Sequence, residues 1–265
     1  RALSEAFAMY RSNIRIFAGI GLFTIPIGIV FNGFTFLVRE NPPVEWVMKW
    51  LNDTSGARLS AAAAVGGVQQ IAMLLLIAPP VIQAIDDIQS GREPGVMRSF
   101  RLGFAKLSIL ASALLIILAS IGLLAIFVIG IPIAIWFAVS WQFFGQATIL
   151  DRAESPRAAL RTSRAVVRGH WFSALWDSFL FQLFALVPGP LIGALLMLLG
   201  KASVDFANAF SSVVYALTVP VAVIGLSLAY RRMKSLPSID VSGASQPMAG
   251  SPISDALPRP MPANS

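Results

Sequence analysis

The sequence predicts an all-α integral membrane protein with six transmembrane helices, and three observations carry the prediction. The 265 residues are 56% hydrophobic and only 12% charged, with a mean hydropathy of +0.74. A soluble domain carries about 25% charged residues, so this chain lacks the polar groups to coat its apolar mass. Its charges are confined to short stretches between long uncharged runs. Lysine and arginine fall almost wholly on alternate connections between those runs. Soluble globular and disordered classes are thereby excluded. Nucleic-acid binding is excluded too, despite a net charge of +7 and a pI of about 10.5. The basic residues flank apolar runs, where they set orientation and attract anionic lipid.

A bilayer core about 30 Å thick needs roughly 20 helical residues to cross it. Residues 16–38 form the first uncharged run, between Arg15 and Arg39, and residues 59–85 the second, between Arg58 and Asp86. Residues 107–150 are long enough to cross twice, and Gly130-Ile131-Pro132 supplies a turn near their middle. Residues 171–199 are interrupted by Asp177 alone, and residues 206–230 carry no charge. The expected spans are 16–38, 60–84, 107–129, 131–150, 172–198 and 207–230. Stretches such as Leu114-Leu115-Ile116-Ile117-Leu118 do not alternate apolar with polar, which argues against β-barrel strands.

With six spans, the N-terminal segment, connections 86–106 and 151–170, and the C-terminal tail share one side. They hold every basic residue except Arg39, Lys49, Arg58 and Lys201. The positive-inside rule makes that side, and both termini, cytoplasmic. Residues 1–234 form the membrane domain. Residues 235–265, rich in Pro, Ser, Gly and Ala, are expected to be a disordered cytoplasmic tail. The outer connection 39–58 contains Trp46, Val47 and Trp50, which suggests a short interfacial helix. The chain begins at Arg1, and no signal peptide is expected, because the first apolar run is too long and no cleavage site follows it.

Each odd-numbered span is preceded by a short amphipathic segment, an elbow. Leu3, Phe7, Tyr10 and Ile14 share one helix face before the first span, and Met97, Phe100, Phe104 and Leu107 share one before the third. Before the fifth, Ser155-Pro156 is an N-cap followed by proline at the first helical position. That helix carries Arg157, Arg161, Arg164 and Arg168 on one face and Leu160, Ser163, Val166 and Val167 on another. A basic face beside an apolar one marks a helix lying in the membrane interface. Three readings of the arginines stay open: orientation alone, a lipid head-group or phosphate site, and a surface for a partner protein. A basic residue just before each membrane entry gives the three segments a slight likeness, as if elbow plus helical hairpin were repeated three times.

Within the membrane, Asp177 lies about six residues into the fifth span, roughly 9 Å by helical rise. An ionisable group there is a functional candidate, or else a structural ion pair. Gln69, Gln70 and Gln182 are further intramembrane polar candidates, as are Gln142 and Gln146, and amides of this kind commonly link helices. Pro79-Pro80, Pro132, Pro188-Gly189-Pro190 and Pro220 interrupt spans, and Pro188-Gly189-Pro190 is the best candidate for a true helix break.

Asp151, Ala159-Leu160-Arg161-Thr162-Ser163 and Val167-Arg168-Gly169-His170-Trp171 together form a pattern. An acidic residue closes span four, A-L-x-x-S follows, and V-x-G-x-W opens span five. With Ala6 to Asn13 and Gly91 to Val96, this resembles the bacterial glycerophosphoryl diester phosphodiesterase membrane-domain family, over about residues 4–232. Asp151 stands where Glu is usual, so Asp151, Ser163 and Gly169 are the motif residues. The resemblance implies a six-helix domain of a bacterial plasma (inner) membrane. It does not imply the hydrolase activity, because a catalytic barrel needs about 250 residues and this chain has one histidine, His170.

The chain is therefore expected to be a non-enzymatic multi-pass membrane protein, a scaffold or anchor that interacts with lipid. The alternative is a small lipid or solute transporter using Asp177 and the broken spans. A third reading is an enzyme acting on a phospholipid head group through Asp151, Glu154 and the arginine stripe. No cofactor or metal is expected, since there is no cysteine and one histidine. Expected partners are membrane lipids, anionic ones above all, and proteins at the cytoplasmic face.

Overall fold

The computed structural model describes residues 2–26, 71–72, 74–127, 129–200 and 204–236. The predicted helix in 39–58, Gln69, Gln70, the far half of the first span, about half of the second and the tail beyond 236 lie outside the described residues. Among the described residues every regular element is a helix. In chain order these are α1 (Ala2–Ser12), α2 (Ile14–Leu22), α3 (Ala78–Gln89), α4 (Val96–Phe104), α5 (Leu107–Ala125), α6 (Gly130–Trp141), α7 (Phe144–Ile149), α8 (Pro156–Val167), α9 (Trp171–Leu186), α10 (Pro188–Gly200) and α11 (Val204–Ser235).

Among the described residues two helices are long and apolar enough to cross a membrane: α5, and Val213–Ser235 within α11. They differ in surroundings. In α11 61% of the hydrophobic window is buried, whereas in α5 only 22% is. An apolar core helix of a soluble protein would be mostly covered, so α5 presents its oily side outward. The same holds on α9, where Phe172, Trp176, Phe179 and Leu183 are all exposed at helical spacing.

Helix α11 is the hub. It packs against α1, α2, α3, α8, α9 and α10. Ile224, Val221, Ala222 and Val219 of α11 join Phe17 and Ile20 of α2, Val81 and Ile85 of α3 and Phe181 of α9 in the main core. Close approach of the helices depends on small residues at the contact. Phe181 lies over Gly225, where an added methyl would overlap its ring. A second core joins Val139, Phe143 and Ala147 to Ala159 and Val167 of α8, Ala174 of α9 and Tyr230 and Met233 of α11.

The local chemistry explains the boundaries. The three amphipathic segments are separate helices, α1, α4 and α8, each followed within a few residues by the next helix. Ser155 Oγ accepts a bond from the Ala158 N–H and starts α8, with Pro156 at its first position. Gly91 ends α3 with φ +67. Its N–H reaches the Ile88 carbonyl, and the Arg92 N–H reaches the Asp87 carbonyl at 2.8 Å, which is a Schellman cap.

Two expected spans are interrupted. Residues 172–198 divide into α9 and α10, with the break at Val187 beside Pro188. Residues 131–150 divide into α6 and α7 around Gln142 and Phe143, where no proline stands. Pro220, by contrast, sits inside α11 without ending it. Pro79 and Pro80 fall in the first turn of α3, where a missing N–H costs nothing.

Candidate functional site

The most densely organised region lies where α8 meets α6, α7, α9 and the last turns of α11. The buried side of α8, formed by Ala159, Leu160, Ser163 and Val167, packs inward. Its opposite side leaves Arg157, Arg161, Arg164 and Arg168 exposed. None of the four makes an ion pair among the described residues. The guanidinium of Arg164 stacks over the Trp136 ring, 4.9 Å from its centroid, a favourable cation–π arrangement.

Ser163 stands at the centre of the corner, fully buried. Its hydroxyl donates to the Ser140 carbonyl at 3.0 Å and accepts from the Phe143 N–H at 3.1 Å. These are backbone groups that a continuous helix would pair along its own ladder. The break between α6 and α7 is thus held open by a side chain from α8, and both freed groups find a partner in it. Gln142, inside the break, donates from Nε2 to the Ala174 carbonyl of α9 at 3.1 Å.

Gly169 turns the chain from α8 into α9. Arg168 has φ −59 and ψ 127, Gly169 has φ +82, and the His170 N–H bonds to the Val167 carbonyl at 2.9 Å. These angles define a type II turn, whose third position needs positive φ and so favours glycine.

Asp151 follows α7 and is bound twice by α11. The Tyr230 hydroxyl donates to Oδ2 at 2.6 Å, and Lys234 Nζ lies 2.6 Å from Oδ1. Asp177 of α9 is buried and pairs with Arg232 of α11 at 2.9 Å. Arg232 belongs to the last turn of α11, so this carboxylate meets the end of the hub helix. Asp86 and Asp87 of α3 form a third group. Arg92 folds back onto both, at 2.6 and 2.8 Å, Arg98 lies 3.5 Å from Asp87, and Arg231 lies 3.5 Å from Asp86. The hydrogen bond to Asp87 is the first cause that raises the Arg92 pKa above its ordinary value. Carboxylates from α3, from α9 and from the connection after α7 are therefore gathered by residues 230–234, little more than one turn at the C-terminal end of α11.

The candidate residues thus separate by role. Asp151, Ser163 and Gly169 hold this corner together, and Asp177 is an ion-pair member. Gln182 is exposed on α9, apart from the corner. In the sequence Arg231, Arg232 and Lys234 are only basic residues after the last span, and Tyr230 is its final residue. Their role as partners depends on contacts 55 to 145 residues apart in the chain. Among the described residues no group of His, Asp or Glu could hold a metal ion. A cleft of about 220 Å³ opens between α6, the end of α8 and the start of α9. Compared with known proteins, the chain matches no family model, no curated protein and no solved structure.

Proposed function

We propose that the chain is a non-enzymatic, six-span bacterial inner-membrane protein with both termini cytoplasmic. It acts as a scaffold or anchor whose elbow helix α8 engages anionic lipid and leaves the cytoplasmic face open to protein partners. The observation that carries this reading is the exposed row Arg157, Arg161, Arg164 and Arg168, free of acidic partners among the described residues. Each basic residue beside an anionic leaflet contributes about 1 kcal/mol. The exposed apolar faces of α5 and α9 support a lipid environment.

The proposed kinship with glycerophosphoryl diester phosphodiesterase membrane domains fits the same reading. Asp151, Ser163 and Gly169 serve an interhelical clasp, a helix break and a turn, which are architectural tasks. Asp177 is neutralised by Arg232, which favours a structural part for it over a transport role. Asp151 is held by Tyr230 and Lys234, which leaves it poorly suited to act as a general base.

The test is lipid preference of the purified full chain in detergent, read by native mass spectrometry with phosphatidylglycerol against phosphatidylcholine. Preferential retention of phosphatidylglycerol that weakens with salt is expected. Equal retention of the two lipids would remove the proposal.

A further inference from the structure

The arginine row does not meet a uniform environment. Arg157 and Arg161 project from the first half of α8, whereas Arg164 and Arg168 line the cleft of about 220 Å³. The other walls are Trp136 and Ser140 of α6, Gly169 of the turn, and Trp171 at the start of α9. Among the described residues no acidic side chain lines it. Resting on the lipid-engaging reading above, we infer that this cleft is a discrete site for a phosphate ester, with the phosphate held by Arg164 and Arg168.

Four observations converge. Two guanidinium groups on successive turns present fork-shaped donors that match phosphate oxygens. The indole Nε1–H of Trp171 is buried and has no acceptor among the described residues. A donor that gave up its water without gaining a partner is costly, and because this nitrogen has no exposed surface a ligand oxygen would satisfy it only if the indole turned toward the cleft. Gly169 keeps the turn free of a side chain at the cleft wall, so backbone borders the site directly. The volume equals the liquid share of about seven water molecules. That admits a phosphate with a short polyol such as glycerol. Trp136 is already covered by Arg164, so its ring is poorly placed to receive a quaternary ammonium, which disfavours a choline head group.

A phospholipid head group and a soluble phosphate ester share this chemistry. The experiment separates them and also separates the cleft from the general surface charge. The full chain in detergent is compared with two charge-matched double variants, Arg164→Gln with Arg168→Gln, and Arg157→Gln with Arg161→Gln. Native mass spectrometry reads retention of phosphatidylglycerol, and a thermal-shift assay reads glycerol 3-phosphate. A third variant, Trp171→Phe, removes the indole N–H and keeps the aromatic ring. The cleft predicts at least a tenfold loss for the 164/168 pair, less than a threefold loss for the 157/161 pair, and a several-fold loss for Trp171→Phe. Retention of the lipid alone identifies a membrane head group, and a glycerol 3-phosphate shift with the same arginine dependence identifies a soluble ester; either supports the site. Equal losses from both pairs would overturn the cleft and leave the lipid-engaging surface standing. If the wild-type chain does not distinguish phosphatidylglycerol from phosphatidylcholine and glycerol 3-phosphate gives no shift, both readings fall. Because all four arginines are exposed, gel filtration should match wild type in both pairs, and the unliganded Tm should fall only slightly in the 164/168 pair, by the loss of the Arg164–Trp136 stacking, which excludes misfolding as the cause.

Discussion

The two helix breaks, one between α6 and α7 and one between α9 and α10, solve the same problem by different means. In an apolar surrounding a freed backbone group must find a partner inside the protein. At the α9–α10 break the cause is covalent. Pro188 and Pro190 have no N–H, so those positions leave no donor to satisfy. Hydroxyls of α11 donate to carbonyls beside the break: Ser211 to Gly189 at 2.8 Å, and Thr218 to Ala185 at 3.3 Å. At the α6–α7 break there is no proline, and a donor and an acceptor are both released in a buried place. One serine, from a helix twenty residues further on, serves both. The first arrangement is local and tolerant. The second makes the bend of one helix conditional on the docking of another.

The sharpest way to break this comparison is Ser163→Ala. It leaves a buried N–H and a buried carbonyl without partners, and each such group costs about 1–3 kcal/mol. Stability of the detergent-solubilised chain, read by denaturant titration with circular dichroism, should fall by about 2 kcal/mol or more. An unchanged midpoint would mean that the bend is intrinsic to residues 140–145 and that Ser163 merely fills it.

Ser211→Ala should cost less. Only a carbonyl loses its hydroxyl partner, and carbonyls left under-satisfied are tolerated better than N–H groups. Interhelical side-chain bonds in membrane proteins average about 0.6 kcal/mol, and a loss near that value is expected in the same titration. A loss equal to that of Ser163→Ala would erase the distinction between the two breaks.

This difference also explains which parts could be read from the chain itself. Pro188-Gly189-Pro190 announces its break, because the cause lies in the residues that bend. The helicity, the charge segregation and the cap at Ser155 are legible for the same reason: each is a local property of composition or backbone geometry. The break at Gln142 and Phe143 gives no such sign, since its cause is a tertiary insertion. Asp177 stood out because a carboxylate in an apolar run is conspicuous, but its partner Arg232 lies 55 residues away and looked like an ordinary span-end cation. Asp151 belonged to a motif, yet nothing local announced that Tyr230 and Lys234 would bind it. The cleft, built from three helices, could not be read from any one segment, although its two arginines could.

A buried hydroxyl that stitches nothing sharpens the comparison from the other side. Tyr10 of α1 stacks on Phe17 with ring centroids 6.1 Å apart, and its hydroxyl is buried with no partner among the described residues. Tyr10→Phe removes a desolvated polar group without orphaning another, so stability should change by less than about 0.5 kcal/mol or rise slightly. Burial raises the pKa of this phenol above its ordinary value of 10.0. The folded chain therefore resists losing the proton that the unfolded chain releases near pH 10. Stability linked to Tyr10 is intact below that pH and declines as pH rises toward the raised folded value. The phenylalanine variant lacks this decline, so the two proteins should have nearly equal stability at pH 8 and diverge above pH 10, with the variant the more stable. If Tyr10→Phe instead cost as much as Ser163→Ala at neutral pH, the phenol would be bonding a partner. The rule that a buried hydroxyl matters through the groups it satisfies would then need a different example.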